Sequence, residues 1–406
     1  MSVEIRSARA DELPAFRSVS AYAFGSQERD PGASTSPSLE PEWTTCAFVD
    51  GCMAATLLAF PFRMYLNGEC TDVAGVSMVA TLPEFRRRGL LRDLMQRGLR
   101  EQRERGQSLA ILWASYGAIY QRFGYGLAMT WTRYSFDPRF VGLREQGNRE
   151  GRVERVSTDD ALPLVQAVYD EVARSRSLTL HRSEEMWARR LQPRDAKAPP
   201  IYVAIHRNAA AEPTGYLVYG TRADMRSGAP GPDQTMTVRE FVTSDLEAYR
   251  ALWNYVRAHD LVKEVRMYGV AEDDLAPQLL LEPRELRRQT GDGIWMRVVD
   301  VEQALSQRHY GETGELGIEI RADREGDWNQ GTWWLETDGA SSVVSRATRT
   351  ADLVMPINAL AALLPGHRSA TELARAGLVE ARDPAALRRA DRLFAAPYRP
   401  WCLDGF

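Results

Sequence analysis

Lysine is nearly absent from this chain. Lys197 and Lys263 are the only two among 51 basic residues, so 51 − 2 = 49 are arginine, and the net charge is −4. That balance argues against a broad basic surface for nucleic acid, and the arginine excess reads as the coding bias of a GC-rich genome. Cysteine is scarce too. Cys46, Cys52, Cys70 and Cys402 make no CxxC pair and no zinc-ligand spacing, so neither a disulfide framework nor a metal site is expected. The five histidines, His181, His206, His259, His309 and His367, all lie beyond residue 180. Any base needed in the first 150 residues must come from another group. Long apolar runs are missing: the longest, Ala54 to Phe60, falls far short of the roughly 20 residues that span a bilayer. The start, MSVEIRSARADELPAF, is charged early and lacks the apolar core of a signal peptide. The expectation is a cytoplasmic protein with no membrane and no nucleic-acid partner.

What is present is a globular composition, 44% hydrophobic and 26% charged, over 406 residues. That length is too great for one ordinary core and predicts two or three domains. Residues 1 to 140 alternate between strand and helix patterns. Strands are predicted at Val3–Ile5, Thr45–Asp50, Ala54–Leu66 and Cys70–Thr81, with Asn67-Gly68 as a hairpin signal between the last two. Leu90, Leu91, Leu94, Met95 and Leu99 mark one face of a helix over 87–105, closed by Gly106. Ser108–Ala114 reads as a buried strand, Gly117–Phe123 as a short helix and Leu127–Phe136 as a strand. Glycine and charge thicken at Gly142–Gly151, which suggests a boundary. Residues 152 to about 290 repeat the element order of the first part. From Trp295 a strand-rich segment follows, with helices at Pro356–Leu364 and Ala385–Phe394.

The chemistry gathers around PEFRRRGLL, residues 83–91. At this arginine density roughly 0.7 Arg-Arg-Arg triplets arise by chance, so the triplet alone means nothing. Its position does more: a strand ends near Thr81 and a helix begins within the arginine run. The free N–H groups and positive dipole end of a helix's first turn suit an anion, and Gly89 permits close backbone approach. A solvated helix start is the plain alternative. Further along stands Tyr120-Gln121-Arg122-Phe123-Gly124-Tyr125. An ordinary core tyrosine is the commoner fate of any one such residue.

Together, Arg86-x-x-Gly89 and Tyr120-x-x-x-Gly124-Tyr125 resemble the acetyl-CoA signature of the GCN5-related N-acetyltransferases (GNAT). Leu91 departs from that signature, which has a small residue there. The run Arg-Arg-Arg-Gly-Leu-Leu-Arg, SYGAIYQRFGYG, WMRVVDVEQAL and the terminal Phe are similar to a narrower group, the enhanced intracellular survival (Eis) acetyltransferases, along nearly the whole chain. The resemblance implies a mixed α+β fold in three parts. These are a catalytic GNAT domain (1–150), a degenerate second GNAT-like domain lacking the CoA loop (151–292), and a sterol-carrier-like domain (293–406) whose end reaches the active site.

Carried over by residue, the resemblance makes Val79, Ala80 and Thr81 the strand beside the pantetheine arm. Arg87, Arg88, Gly89, Leu90, Leu91 and Arg92 become the pyrophosphate loop, and Ser115 and Tyr116 the far wall of the cofactor. Tyr120 becomes the general acid for the leaving thiolate and the α-carboxylate of Phe406 the base. The implied activity is acetyl-CoA-dependent N-acetylation of a small amine, aminoglycoside- or polyamine-like, without a metal. A protein lysine is the alternative acceptor, and a non-catalytic acetyl-CoA sensor or lipid-binding protein the alternative role, with Trp333, Trp334 and Ile357–Leu364 as a candidate lipid lining. Glu28, Asp30 and Asp404 are candidate acidic groups for a polycation. In the second domain Thr243-Ser244-Asp245-Leu246-Glu247-Ala248 replaces the Arg-x-x-Gly loop, and its acidity would repel pyrophosphate, so one cofactor per chain is expected. The resemblance also implies a hexamer.

Overall fold

The computed structural model describes residues 2–25, 38–145, 151–193, 198–223 and 233–406. The first part runs β1 (Val3–Arg6), α1 (Leu13–Phe24), β2 (Thr44–Val49), β3 (Cys52–Leu66), β4 (Glu69–Thr81), α2 (Leu90–Glu104), β5 (Leu109–Trp113), α3 (Gly117–Gln121), β6 (Gly126–Leu127) and β7 (Thr130–Phe136). The β3–β4 hairpin turns through Asn67 (φ 48°) and Gly68 (φ 100°), the two positive φ values that a two-residue hairpin turn demands. Helix α2 buries Leu90, Leu94, Met95, Gly98 and Leu99. It closes at Gly106 (φ 75°), whose successor Gln107 donates back to Gln102 O at 2.9 Å, the bond pattern of a left-handed helix end.

The second part holds β8 (Arg152–Val156), α4 (Thr158–Arg174), β9 (Leu180–His181), α5 (Glu184–Arg190), β10 (Tyr202–Arg207), β11 (Pro213–Ala223), β12 (Gln234–Thr243), α6 (Leu246–Arg257), β13 (Val262–Val270), α7 (Ala276–Leu279), β14 (Gln289–Asp292) and β15 (Ile294–Val298). The third holds α8 (Val301–Ser306), β16 (Gly314–Arg321), β17 (Gly331–Thr337), β18 (Ser342–Ala347), β19 (Leu353–Pro356), α9 (Ile357–Leu363), α10 (Ala370–Arg375), β20 (Glu380–Ala381) and α11 (Pro384–Leu393).

Three sheets result, with orders β1-β2-β3-β4-β5-β15-β6, β14-β7-β13-β12-β11-β10-β8 and β18-β17-β16-β19-β20; β9 pairs with β3. Chain order and sheet membership do not coincide. The segment expected as one strand over Leu127–Phe136 breaks at Ala128-Met129, both buried. Its first piece joins the first sheet and Thr130–Phe136 joins the second. In return Ile294–Val298, which overlaps the WMRVV stretch, enters the first sheet between β5 and β6. The third sheet is tied to the first by α9. A Cβ on Gly126 would stand 2.0 Å from Asn358 O, so only glycine lets that helix approach β6. One core cluster accordingly runs from Phe60, Phe62 and Met64 to Leu360, Leu363 and Leu393, each side chain contributing about 1.5–3 kcal/mol on burial.

Candidate active site

Strands β4 and β5 run parallel but pair only at Val73↔Leu109, Ala74↔Ala110 and Gly75↔Ile111. Beyond Gly75 they part, so the β5-facing edge of Val76–Thr81 has no strand partner among the described residues and a wedge opens in the middle of the sheet. Two features sharpen it. Between Thr56↔Ala80 and Leu58↔Ser77, the residues Met78 and Val79 stand opposite Leu57 alone, a bulge that re-aims backbone groups. Met78 takes φ 49° there, and the Thr56 hydroxyl donates to its carbonyl at 2.8 Å.

The arginine loop follows directly. The helix begins at Leu90, three residues later than expected, so the triplet lies in the loop before it. Arg87 (φ 63°) and Gly89 (φ 87°) both turn left-handed. Arg86 Nε donates to Thr81 O at 3.1 Å and Arg88 Nη2 to Glu84 O at 2.8 Å. Two of the three side chains thus fold back on the loop. Gly89 caps α2 without any side-chain hydrogen bond, and open space lies where its Cβ would be. The first-turn N–H groups of a 15-residue helix therefore face an open edge beside exposed arginines, an arrangement suited to an anion. Val79, Ala80 and Thr81 lead into this loop on one arm of the wedge. Ser115 and Tyr116, both exposed, follow the other arm.

The two faces of the sheet carry different groups. Ala74 and Val76 turn toward the cluster containing Leu90, Leu94 and Tyr120. Val73 and Ile111 turn toward the opposite cluster, against which Phe406 packs. Tyr120 is 8% exposed and stacks edge-on with Tyr125 at 5.8 Å. Burial pushes its phenol up to about 12, so it holds its proton at neutral pH. No hydrogen bond to its hydroxyl occurs among the described residues. Phe406 sits edge-on to Phe62 at 5.1 Å, and its Cδ2 lies 3.4 Å from where a Cβ on Gly75 would be. Gly75 is the last residue paired with β5, so the terminal residue lies at the apex of the wedge, on the face opposite Tyr120.

The tail is held there by buried charge that sequence reasoning missed. Asp404 takes Arg182 Nε at 3.0 and 3.1 Å, and Arg182 also grips Glu240 at 2.8 and 3.2 Å. Arg190 Nε pairs with Glu240, and its Nη2 donates to Leu403 O at 2.8 Å. The Tyr216 hydroxyl donates to Glu240 at 2.6 Å, and that of Tyr169 to Asp404 at 3.3 Å. Burial alone would push the Glu240 carboxyl up, but Arg182 and Arg190 outweigh it and hold it at about 2. From the other side, Trp113 Nε1 at the end of β5 donates to Asp404 O at 3.1 Å. Asp404 is thus 5% exposed and already paired, which removes it from the acidic groups offered to a polycation. Glu28 and Asp30 lie outside the described residues.

Other candidates resolve plainly. Burial pushes the Cys46 and Cys402 thiols up to about 12, so neither is a thiolate at neutral pH. Trp333 and Trp334 are buried, their indole N–H groups bonded to Asn329 O (2.8 Å) and Glu315 Oε2 (3.0 Å). A cavity of about 640 Å³ between the first sheet and the third part is lined by Arg63, Glu69, Thr71, Asp72 and Gln307, a polar lining unsuited to a lipid tail. No helix among the described residues is long and apolar enough to cross a membrane.

Comparison with known proteins points the same way. The chain matches the acetyltransferase (GNAT) domain at residues 4–128 and again, by a second family of that description, at 178–298. A sterol carrier protein domain matches at 301–403. An uncharacterized N-acetyltransferase of Streptomyces griseus is 34% identical over 378 residues, 89% of each chain. The N-acetyltransferase Eis of Mycobacterium tuberculosis is 27% identical over 415 residues, 98% of each. Among solved structures, Eis1 from Mycobacterium abscessus superposes over the whole of both chains with a TM-score of 0.84 at 27% identity. A GCN5-related N-acetyltransferase from Anabaena variabilis does so at 0.86 and 20%, which speaks to fold alone.

Proposed function

The chain belongs to the Eis-like family of GCN5-related N-acetyltransferases, and from that premise we propose that it moves the acetyl group of acetyl-CoA to a small primary amine. The family fixes the reaction class and the use of acetyl-CoA. The roles of individual residues are our reading, and the wedge between β4 and β5 carries it. The N–H groups of Gly89, Leu90 and Leu91, beside Arg87, Arg88 and Arg92, would hold the pyrophosphate of acetyl-CoA. Its pantetheine arm pairs with the free edge of Val79–Thr81 and has Ser115 and Tyr116 across the gap. The wedge would let the acetyl group meet the amine on the face where Phe406 ends.

Transfer needs the amine to lose a proton before attack, a donor for the tetrahedral oxyanion, and a proton for the departing thiolate. The Phe406 carboxylate accepts the amine's proton, directly or through water. A free α-carboxylate titrates near 3.3–3.7, so this role needs either a basicity raised by burial or action through water on an amine whose own pKa is lowered. Backbone N–H groups at the Met78–Val79 bulge polarise the thioester carbonyl, and Tyr120 protonates the thiolate. With Asp404 committed to Arg182, an amine of low charge fits this site better than an aminoglycoside-like polycation. By family resemblance the assembly is a hexamer, which light scattering tests. The reaction is tested by thiol release from acetyl-CoA against aminoglycosides, polyamines, arylalkylamines and a lysine peptide. Turnover with the arylalkylamine is the expected result. Turnover with the lysine peptide alone would move the acceptor to protein side chains, and no turnover at all would leave a sensor.

A further inference from the structure

The second sheet repeats the wedge of the first. Strands β12 and β13 pair in parallel from Gln234↔Val262 to Val238↔Met267 and then separate. Between their ends lies a cavity of about 670 Å³, within the roughly 300–1,000 Å³ of small-molecule sites. Its chemistry is the reverse of the first wedge. Asp245 caps α6 by accepting the Ala248 N–H at 2.7 Å, so a carboxylate occupies the place an anion would take. Glu171, Asp273 and Asp274 also line the space. The one cation among the lining residues, Arg176, is engaged with Asp273 at 2.8 Å. Aromatic surface completes the lining, with Tyr268 and Tyr398 exposed and Trp401 behind them. Asp274 already accepts from Tyr134, Tyr249 and Ala276 N, and the Arg176 guanidinium covers Tyr398 and Trp401. The excess of four carboxylates over one cation in the lining, beside the exposed Tyr268 ring, is what favours an organic cation.

One wall of this cavity is the chain that ends at the active site. Trp401 Nε1 donates to Gly269 O at 2.7 Å, and Arg399 N to Asp273 Oδ2 at 3.0 Å. The Arg176 guanidinium lies over the Tyr398 and Trp401 rings at 4.7 and 5.6 Å. Asp404 and Phe406 follow within five residues of Trp401. We propose that this cavity is a second site, for a small amine or ammonium ion bearing an apolar ring, and that its occupancy adjusts the C-terminal segment and so the rate of acetyl transfer. The binding claim stands on the cavity alone. The regulatory claim rests on the reading of Phe406 as the base.

The test uses the full chain and benzyltrimethylammonium, which has no N–H to acetylate. Calorimetric titration without acetyl-CoA should show one binding event per chain. Leu246→Arg with Leu275→Arg places two cations on exposed parts of the wall, and affinity should fall about tenfold or more. Asp245→Asn, which keeps the cap and removes its charge, should weaken binding less and serves if the double variant misfolds. With the amine acceptor saturating, the probe should change kcat, whereas simple competition at the active site would vanish. No binding heat, or binding indifferent to these variants, overturns the site. Binding lost in the variants with kcat unmoved in the wild type overturns the regulatory role. Because the titration omits acetyl-CoA, its result is independent of whether Phe406 is the base.

Discussion

Replacing Arg182 with methionine separates the structural from the catalytic consequences of the tail's anchorage. Arg182 is fully buried, shared between Asp404 and Glu240, and sandwiched by the rings of Tyr169 (4.0 Å) and Trp187 (4.5 Å). Removing one partner of a buried ion pair costs about 3–5 kcal/mol, because the other charge is left dry. Arg190 still covers Glu240, so the deserted charge is mainly Asp404, and the lower end of that range applies. Domain stabilities of about 5–15 kcal/mol leave the variant folded at room temperature, with a lowered unfolding midpoint. Asp404 then turns toward water and carries Phe406 with it. A misplacement of about 1 Å at a reacting group costs on the order of 10²-fold in rate. Thiol release should therefore show kcat down by about that factor. KM for acetyl-CoA should hold, since the loop at Gly89 and the edge of β4 lie on the other face. Arg182→Met with Asp404→Asn should recover stability without recovering kcat. A variant that loses stability but keeps wild-type kcat would refute the argument that the network positions the reacting end of the chain.

Tyr120→Phe should lower kcat by about 10²–10⁴ with little change in unfolding midpoint; equal activity removes Tyr120 as the acid. Gly89→Asp sets a carboxylate beside the first turn of α2, at a positive φ that strains it, and should raise KM for acetyl-CoA about tenfold by repelling pyrophosphate; an unchanged KM places the anion elsewhere. Gly126→Ala drives a methyl into Asn358 O and should cost at least about 1–3 kcal/mol, read by denaturant unfolding; a neutral result contradicts the close approach of α9. His367 is 1% exposed with neither ring nitrogen hydrogen-bonded to any described residue, and burial holds its pKa down at about 4 against an ordinary 6.5. Since the folded pKa is the lower one, this contribution to stability is complete above about pH 6.5 and drains away as pH falls toward 4. His367→Leu should flatten the stability profile in that window, and an undiminished slope assigns the acid sensitivity to other groups.

Local pattern made much of the first sheet legible. Asn67-Gly68 announced its turn, and the spacing of Leu90, Leu94 and Leu99 announced α2, because both depend on near neighbours. The wedge itself was not legible. Whether β4 and β5 stay paired beyond Gly75 depends on Met78 and Val79 bulging against β3, which no alternation in Cys70–Thr81 reveals. Nor could the run Leu127–Phe136 declare that it serves two sheets, since period-two patterning is blind to which sheet a strand enters. The Arg182–Glu240–Asp404 network was invisible for a different reason. Its members are 58 and 222 positions from Arg182, and charged residues are presumed exposed until a partner is seen. Its one sequence trace is the apolar frame of WCLDGF, in which a lone Asp sits among residues that prefer burial.

The central claim is that the α-carboxylate of Phe406 takes the amine's proton. Its most direct test is the full chain made by ligation with Phe406 as the α-carboxamide, which keeps the ring against Phe62 and removes only the charge. The account predicts that kcat for the best amine collapses by about 10²-fold or more, while acetyl-CoA affinity and the unfolding midpoint stay put. An amide-ended protein that turns over at the wild-type rate would contradict it.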